Sequence, residues 1–461
     1  MKPIAFSRRQ FLAGTGALSL LPRASLAAGP EGLTAEVAQA QIAPETYPVT
    51  EVYSYGGAFP GPMIRLPQGG RIRRELLNNL PVPTSIHWHG IRIDNAMDGV
   101  AGLTQEAVSP GQSFTYDFTL PDAGTYWYHA HTSSMEQVAR GLYGPLIVEE
   151  ADGPDVDRDE VLMLDDWLLD PETAQIDPAF DHPMDLSHAG RRGNLIGTNG
   201  RYGYRLTAKR GERLRLRLIN AANARIFVLR LAGLSGWTVA LDGMPLDAPE
   251  KVDGEIILAP AQRVDLIVDV SAEETQEVAI LRADDDEEWR VQVGFDLSGE
   301  ATGRAAEPLP LPPNPGMAPV DLGRATKLEM RMEGGAMGNM PSGRMNGQMM
   351  GFRQMMQDGM FWTLAGVAGM DEAPFARLSR GEPVRLKLIN DTVFPHAMHL
   401  HGQHFREIVG EVQGPMRDTL LSLPGQTTEI AFTADNPGKW LFHCHMLGHA
   451  ASGMTTWIEV A

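Results

Sequence analysis

Residues 380–402 read RGEPVRLKLINDTVFPHAMHLHG, and the first eleven of them decide the fold. From Val384 to Leu388 apolar and charged side chains alternate, with Val384, Leu386 and Leu388 set against Arg385 and Lys387. That is the period of a strand with one face in a core and the other turned outward. The same sentence stands twice earlier, as GGRIRRELLNNLPVPTSIHWHGI at 69–91 and RGERLRLRLINAANARIFVLRL at 210–231. Each copy runs from a Gly through the alternating strand to Leu-x-Asn and then into a second strand. A Gln-marked turn and another alternating strand follow each time: SPGQSFTYDFTLPDAGTYWYHAHT at 109–132, LAPAQRVDLIVDVS at 258–271 and LPGQTTEIAFTADNPGKWLFHCHM at 423–446. Repetition on this scale implies one structural unit written three times.

Short strands punctuated by Gly, Pro, Asn and Asp, with little helical periodicity between them, make the chain all-β. The units are expected to be three antiparallel Greek-key β-sandwich domains. One boundary falls at Glu150-Ala151-Asp152-Gly153, and another lies in EPLPLPPNPGMAPVD at 307–321, a stiff extended linker. The expected domains are therefore 29–150, 151–306 and 322–461.

The N-terminus, SRRQFLAGTGALSLLPRASLAAG, has paired Arg8 and Arg9, an apolar run from Phe11 to Leu21, and small residues at Ala27 and Ala28. It resembles a twin-arginine signal peptide over residues 1–28, which implies handling by the twin-arginine export machinery and a periplasmic protein without a membrane anchor. The apolar run is too short for a resident span. Formal charge is -19, and cleavage would remove Lys2, Arg8, Arg9 and Arg23 but no acid. So acidic a chain excludes nucleic acid as a partner and favours cationic substrates, metal ions among them. A single cysteine, Cys444, allows no internal disulfide and leaves a reactive group or a ligand.

The outer copies carry histidines where the middle copy has none: HWHG and HLHG stand where the middle has FVLR. Of thirteen histidines, His87, His89, His129 and His131 lie in the first unit, and His396, His399, His401, His443, His445 and His449 in the third. The middle unit is read as a spacer between two units that share a site. Side chains at i and i+2 of a strand share a face, so each His-x-His pair offers two imidazoles to one side, and four pairs supply eight to one cavity. By the same alternation Cys444, between His443 and His445, looks the other way, toward His396, His449 and Met454. Two histidines, a thiolate and a distant methionine are the ligand set of a blue-copper centre. Zinc fits less well, since structural zinc closes four ligands and a lone thiol is unusual there. His182, His188 and His404 stand outside the pattern and read as ordinary loop or surface residues.

HWHG, HAH, HAMHLHG and HCHMLGHAASGM together resemble the multicopper oxidase family of laccases and copper-efflux oxidases, over essentially the whole chain after the signal. The resemblance implies three cupredoxin-like domains and four copper ions: one type 1, one type 2 and two type 3. It would give His396, Cys444 and His449 with axial Met454 to type 1, and His87 and His399 to type 2. His89, His129, His131, His401, His443 and His445 would go to the type 3 pair. The reaction implied is one-electron oxidation of a substrate, electron transfer through Cys444, and four-electron reduction of dioxygen to water. Asp98, eleven residues after His87, matches the family's carboxylate near the cluster, although Asp-Gly is also a turn signal. Copper-efflux oxidases often have an acid directly after the last type 1 histidine; here that place is Ala450.

Between 330 and 360 ten methionines fall in MRMEGGAMGNMPSGRMNGQMMGFRQMMQDGM. Thioethers favour Cu(I), and the stretch resembles the methionine-rich insert over type 1 copper in bacterial cuprous oxidases; a lid that only restricts access is the alternative. Met330, Met332 and Glu333 are candidate ligands for substrate copper. Just before His396 the chain offers Asp391 but no Met. The substrate expected is Cu(I), with O2 as partner, acting in periplasmic copper tolerance as a monomer. The alternatives are a laccase-type phenol oxidase, a manganese or iron oxidase, or a copper-binding protein without turnover.

Overall fold

The computed structural model describes residues 31–272, 276–338, 340 and 342–461. The expected signal at 1–28 lies outside them. Among the described residues no helix is long and apolar enough to cross a membrane.

The strands form three two-sheet sandwiches. The first, between Glu31 and Glu149, has two four-stranded sheets; the second, between Arg158 and Glu300, has sheets of six and five strands; the third, between Thr326 and Val460, again has six and five. A small hairpin, Ser342–Met345 with Gln348–Gly351, stands apart. The sandwiches are not purely antiparallel as expected. Each sheet of each unit contains one parallel pair, for example Thr326–Gly334 with Glu382–Asn390 and Ala376–Leu378 with Thr455–Val460. Parallel neighbours arise because an early strand of each unit crosses over to join one from its middle in one sheet, and another joins the unit's last strand in the other sheet, connections that local periodicity does not reveal.

The repeated Leu-x-Asn has a physical cause. Asn78, Asn220 and Asn390 are buried at the ends of equivalent strands, and each side-chain amide fastens the loop that leads to the next strand. The Asn78 amide donates to the carbonyls of Val82 and Val108, while its oxygen accepts from the Leu80 N–H. Asn220 does the same with Arg225, Leu258 and Ala222, and Asn390 with Phe394, Leu423 and Thr392. Their backbone N–H groups all donate to the carbonyl of the turn glutamine, Gln112, Gln262 or Gln426. The next strand is the one that carries the histidines in the outer units, Ile86–His89 and His396–Leu400. An ordinary turn motif therefore sets the site's position.

The alternating strand of the middle unit behaves differently from its copies. Arg213–Asn220 is buried along its whole length, charged face included. Arg215 forks onto Glu150 and Asp265, and Arg217 onto Asp159 while also reaching Thr125 of the first unit. Buried guanidinium groups persist only when paired in this way. The linker region also binds outward, with Asn314 exchanging two hydrogen bonds with Ala123 and Arg406 donating to the Met317 carbonyl.

Candidate metal centre

Three short helices, one from each unit, pack on one another over the site: Ser134–Ala139, Pro183–Ser187 and Leu447–Ala451. Beneath them the strands Ile86–His89, Gly124–Ala130, His396–Leu400 and Gly438–Cys444, with the residues that follow them, bring the ten expected histidines and Cys444 together in two places. His443 pairs with His399 and Cys444 with Met398 in the antiparallel register, so successive residues face opposite sides.

On one side lie the eight imidazoles of the first and third units. Donor atoms of His131, His401 and His443 lie within 4.8 Å of one another, as do those of His87, His399 and His401 and those of His87, His89 and His129. His445 Nε2 is 3.4 Å from His129 Nε2, and His401 Nε2 is 3.1 Å from His443 Nε2. The rings are held from behind. His87, His129, His399 and His443 each donate Nδ1–H to a backbone carbonyl, of Asp98, Ala130, Asp418 and Cys444 respectively, at 2.9–3.0 Å. His401 donates Nδ1–H to the Asp98 carboxylate at 3.1 Å. Each of these rings therefore points an unprotonated Nε2 inward.

On the other side, His396 Nδ1 and His449 Nδ1 stand 3.0 Å apart, with Cys444 Sγ at 3.7 and 3.6 Å from them. Their far nitrogens are engaged, His396 Nε2–H with Thr392 Oγ1 at 2.9 Å and His449 Nε2–H with the His188 carbonyl at 2.7 Å. The short helix after the strand brings His449 back beside Cys444. Gly453 then turns the chain at φ +122°, where a Cβ would strike the Trp362 carbonyl, and Met454 follows, fully buried, its carbonyl accepting from the Cys444 N–H. Trp362 covers both histidines, 5.1 Å from His396 and 4.4 Å from His449 between ring centres, and donates Nε1–H to the Leu186 carbonyl.

Burial decides the charge state. It pushes His89, His129, His396, His399, His401, His443 and His445 below the ordinary imidazole range, His131 to about 3 and His449 to about 4. Burial likewise pushes the Cys444 thiol up to about 12. Two neutral rings presenting lone pairs to each other at 3.0–3.4 Å repel, and among the described residues His87 Nε2 and His399 Nε2 have no hydrogen-bond partner. A cation would relieve these contacts, and nitrogen with one sulfur is a donor set that suits copper.

Three segments, 36–153, 158–286 and 345–461, each match a family described as Multicopper oxidase. The multicopper oxidase MmcO of Mycobacterium tuberculosis is 30% identical, over 98% of this chain and 96% of its own. The chain belongs to the multicopper oxidase family. It is 27% identical to a copper resistance protein A homolog of Pseudomonas syringae pv. tomato, over 99% of this chain and all of that one. Among solved structures, Lac15 from a marine microbial metagenome superposes with a TM-score of 0.76 at 39% identity, covering 94% of this chain and all of the other. Like other multicopper oxidases, this one binds copper and is an oxidoreductase that uses O2.

Several expectations need correction. Met330 and Met332 are core residues of the strand Thr326–Gly334 and are fully buried, so they present no thioether to a surface ion. Asp391 is ion-paired with Arg331 at 3.1 Å. His404 lies in a loop, as expected, but is buried there, and His188 lends its carbonyl to His449. Sequence reading missed Asp418, a buried carboxylate beside His89 and His399, and Arg263 behind it. The middle unit is thus no mere spacer.

Proposed function

We propose that this multicopper oxidase oxidises Cu(I) in the periplasm, and that residues 29–150, 151–306 and 322–461 are its three domains. His396, Cys444, His449 and Met454 are assigned to a type 1 ion. His87 and His399 are assigned to type 2, and His89, His129, His131, His401, His443 and His445 to the type 3 pair. Four bound coppers would supply one-electron acceptance at the first site and four-electron reduction of dioxygen to water at the others. The observation that carries this reading is the strand Gly438–Cys444 and its continuation to His445, which places a thiol in one pocket and its two flanking imidazoles in the other.

The chain's own groups do the rest. Sealing by Trp362 and the helix Pro183–Ser187 keeps solvent from the thiol pocket. The outward edge of His449 ends on the carbonyl of half-buried His188, a hydrogen-bonded route for an incoming electron. A partly open cavity lined by His131, His443, Ser133, Ser134, Ala450 and Thr455 reaches the imidazole cluster and admits dioxygen. Asp98, fully buried and bonded to His401, is placed to hold and pass the protons that dioxygen reduction consumes. With Ala450 in place of an acid, the hydroxyls of Ser133, Ser134 and Thr455 line the remaining polar way out.

Support for Cu(I) comes from thioethers beyond the core strand. Met337 is 83% exposed and Met349 69%, with Met356 exposed on the short helix Phe352–Gln357, in a segment whose continuation carries Trp362. The copper resistance name of a relative matching the whole chain points the same way. Replacing Met337, Met349 and Met356 with Leu preserves volume and removes sulfur. KM for Cu(I) should rise about tenfold, ~1.4 kcal/mol of lost binding, while oxidation of a phenol keeps its kcat. Equal loss of both activities, or no change for Cu(I), would contradict the assignment.

A further inference from the structure

We propose that Arg263 and Asp418 are a positioning pair through which the middle unit fixes the His89 and His399 side of the oxygen-reducing cluster. The proposal rests on the ligand assignment above. Arg263 opens the strand Arg263–Val270 of the middle unit and is fully buried. All five of its N–H donors are used, and they reach all three units. Nη1 and Nη2 fork onto the two Asp418 oxygens at 2.8 and 2.6 Å; Nε donates to the Thr125 carbonyl at 3.1 Å; the remaining two donate to the Ala261 and Asp242 carbonyls. Bidentate contact of this kind fixes orientation as well as charge.

Asp418 passes that orientation on. Its carboxylate accepts from Thr419 Oγ1 at 2.8 Å and lies 3.3 Å from His89 Nε2, while its backbone carbonyl accepts from His399 Nδ1 at 2.9 Å. With Nε2–H directed at the carboxylate, His89 turns its Nδ1 inward, and that atom has no other partner. The glycine of HWHG supplies a separate observation. Gly90 has φ +86°, and a Cβ there would stand 2.3 Å from Arg263 Nη2 and 2.6 Å from Asp418 Oδ2. The residue after His89 must therefore be Gly for the fork to close.

Asp98 mirrors Asp418 across the cluster. Its carbonyl takes His87 and its carboxylate takes His401, so each Asp holds the first histidine of its own unit and the second of the other. Among the described residues no Lys or Arg lies within ion-pair distance of Asp98. One carboxylate is locked by a guanidinium and the other is held by imidazoles alone.

The test is copper content together with the type 2 paramagnetic resonance signal, on copper-loaded wild type, Asp418→Asn and Arg263→Lys. In Asp418→Asn one of the two oxygens becomes an NH2, and since Arg263 donates to both, either orientation of the amide sets two donors against each other, opens the fork and loosens the acceptor that orients His89. Copper affinity of the cluster should fall 10- to 100-fold, with a shifted type 2 hyperfine splitting, while the thiolate absorption of the other pocket stays. Arg263→Lys keeps the charge but loses the fork and should show the same shift in smaller measure. Wild-type copper content and splitting in both variants would overturn the proposal. So would loss of the thiolate band along with the cluster in both, since that is a general folding role. A wild type with no type 2 signal would instead overturn the ligand assignment itself.

Discussion

The first and third units meet over imidazoles, whereas the middle unit meets both of them over ion pairs. At the first kind of contact, eight rings face one another, six of them held with a lone pair inward, an arrangement that a bound cation would relieve. At the second, Arg215 is matched to Glu150 of the first unit and Arg263 to Asp418 of the third, with Asp265 of the middle unit backing Arg215, so that interface is complete in the polypeptide alone. The comparison teaches a division of work. The metal-dependent contact carries the chemistry, and the metal-independent one holds the two halves of the site in register.

The sharpest way to break this division is Cys444→Ser. Substrate-driven oxygen uptake should fall by at least about 10³-fold, ~4 kcal/mol in the barrier, while unfolding by denaturant shows the ion-pair interfaces intact. Retained uptake would mean that the two pockets are not connected through this residue. Asp98→Asn acts inside the imidazole contact only. It should lower kcat by roughly 10- to 100-fold and leave the visible thiolate band unchanged, so a lost band would show that the two sites are not independent.

The buried ion-pair network is probed by Arg217→Met, which removes the fork onto Asp159 and the contact to Thr125 of the first unit, while Asp265 keeps Arg215. Removing one partner of a buried pair costs about 3–5 kcal/mol, to be read as a lower thermal midpoint. Burial alone would raise the Glu150 and Asp159 carboxyls, but the guanidinium groups of Arg215 and Arg217 override it and hold both below the usual range. The stability they contribute is present above the unfolded values near 4 and lost as pH falls through the depressed folded values. The difference in midpoint between wild type and Arg217→Met should therefore narrow between pH 6 and pH 3. A difference that stays constant across that range would assign the effect to packing.

How much was legible follows from the range of each signal. The alternating strands and the Leu-x-Asn loops follow local rules, so the paired imidazoles of HWHG, HLHG and HCH could be read from alternation, whereas the full set of proposed ligands came from the family resemblance. Asp98 was found through its fixed distance from His87. Asp418 was not, because its meaning depends on Arg263, 155 residues earlier in the chain. The charged face of RLRLRLIN read as solvated for the same reason, since the carboxylates that bury it come from other strands. Met330 and Met332 misled through composition; their i, i+2 spacing around Arg331 was the signal that they share the core face of a strand.

The most direct test of the account is the copper content and visible spectrum of Cys444→Ser beside wild type. The account predicts four coppers and an intense thiolate-to-copper band in the wild type, and three coppers without the band in the variant. A variant that keeps the band, or one that loses all four ions while remaining folded, would contradict it.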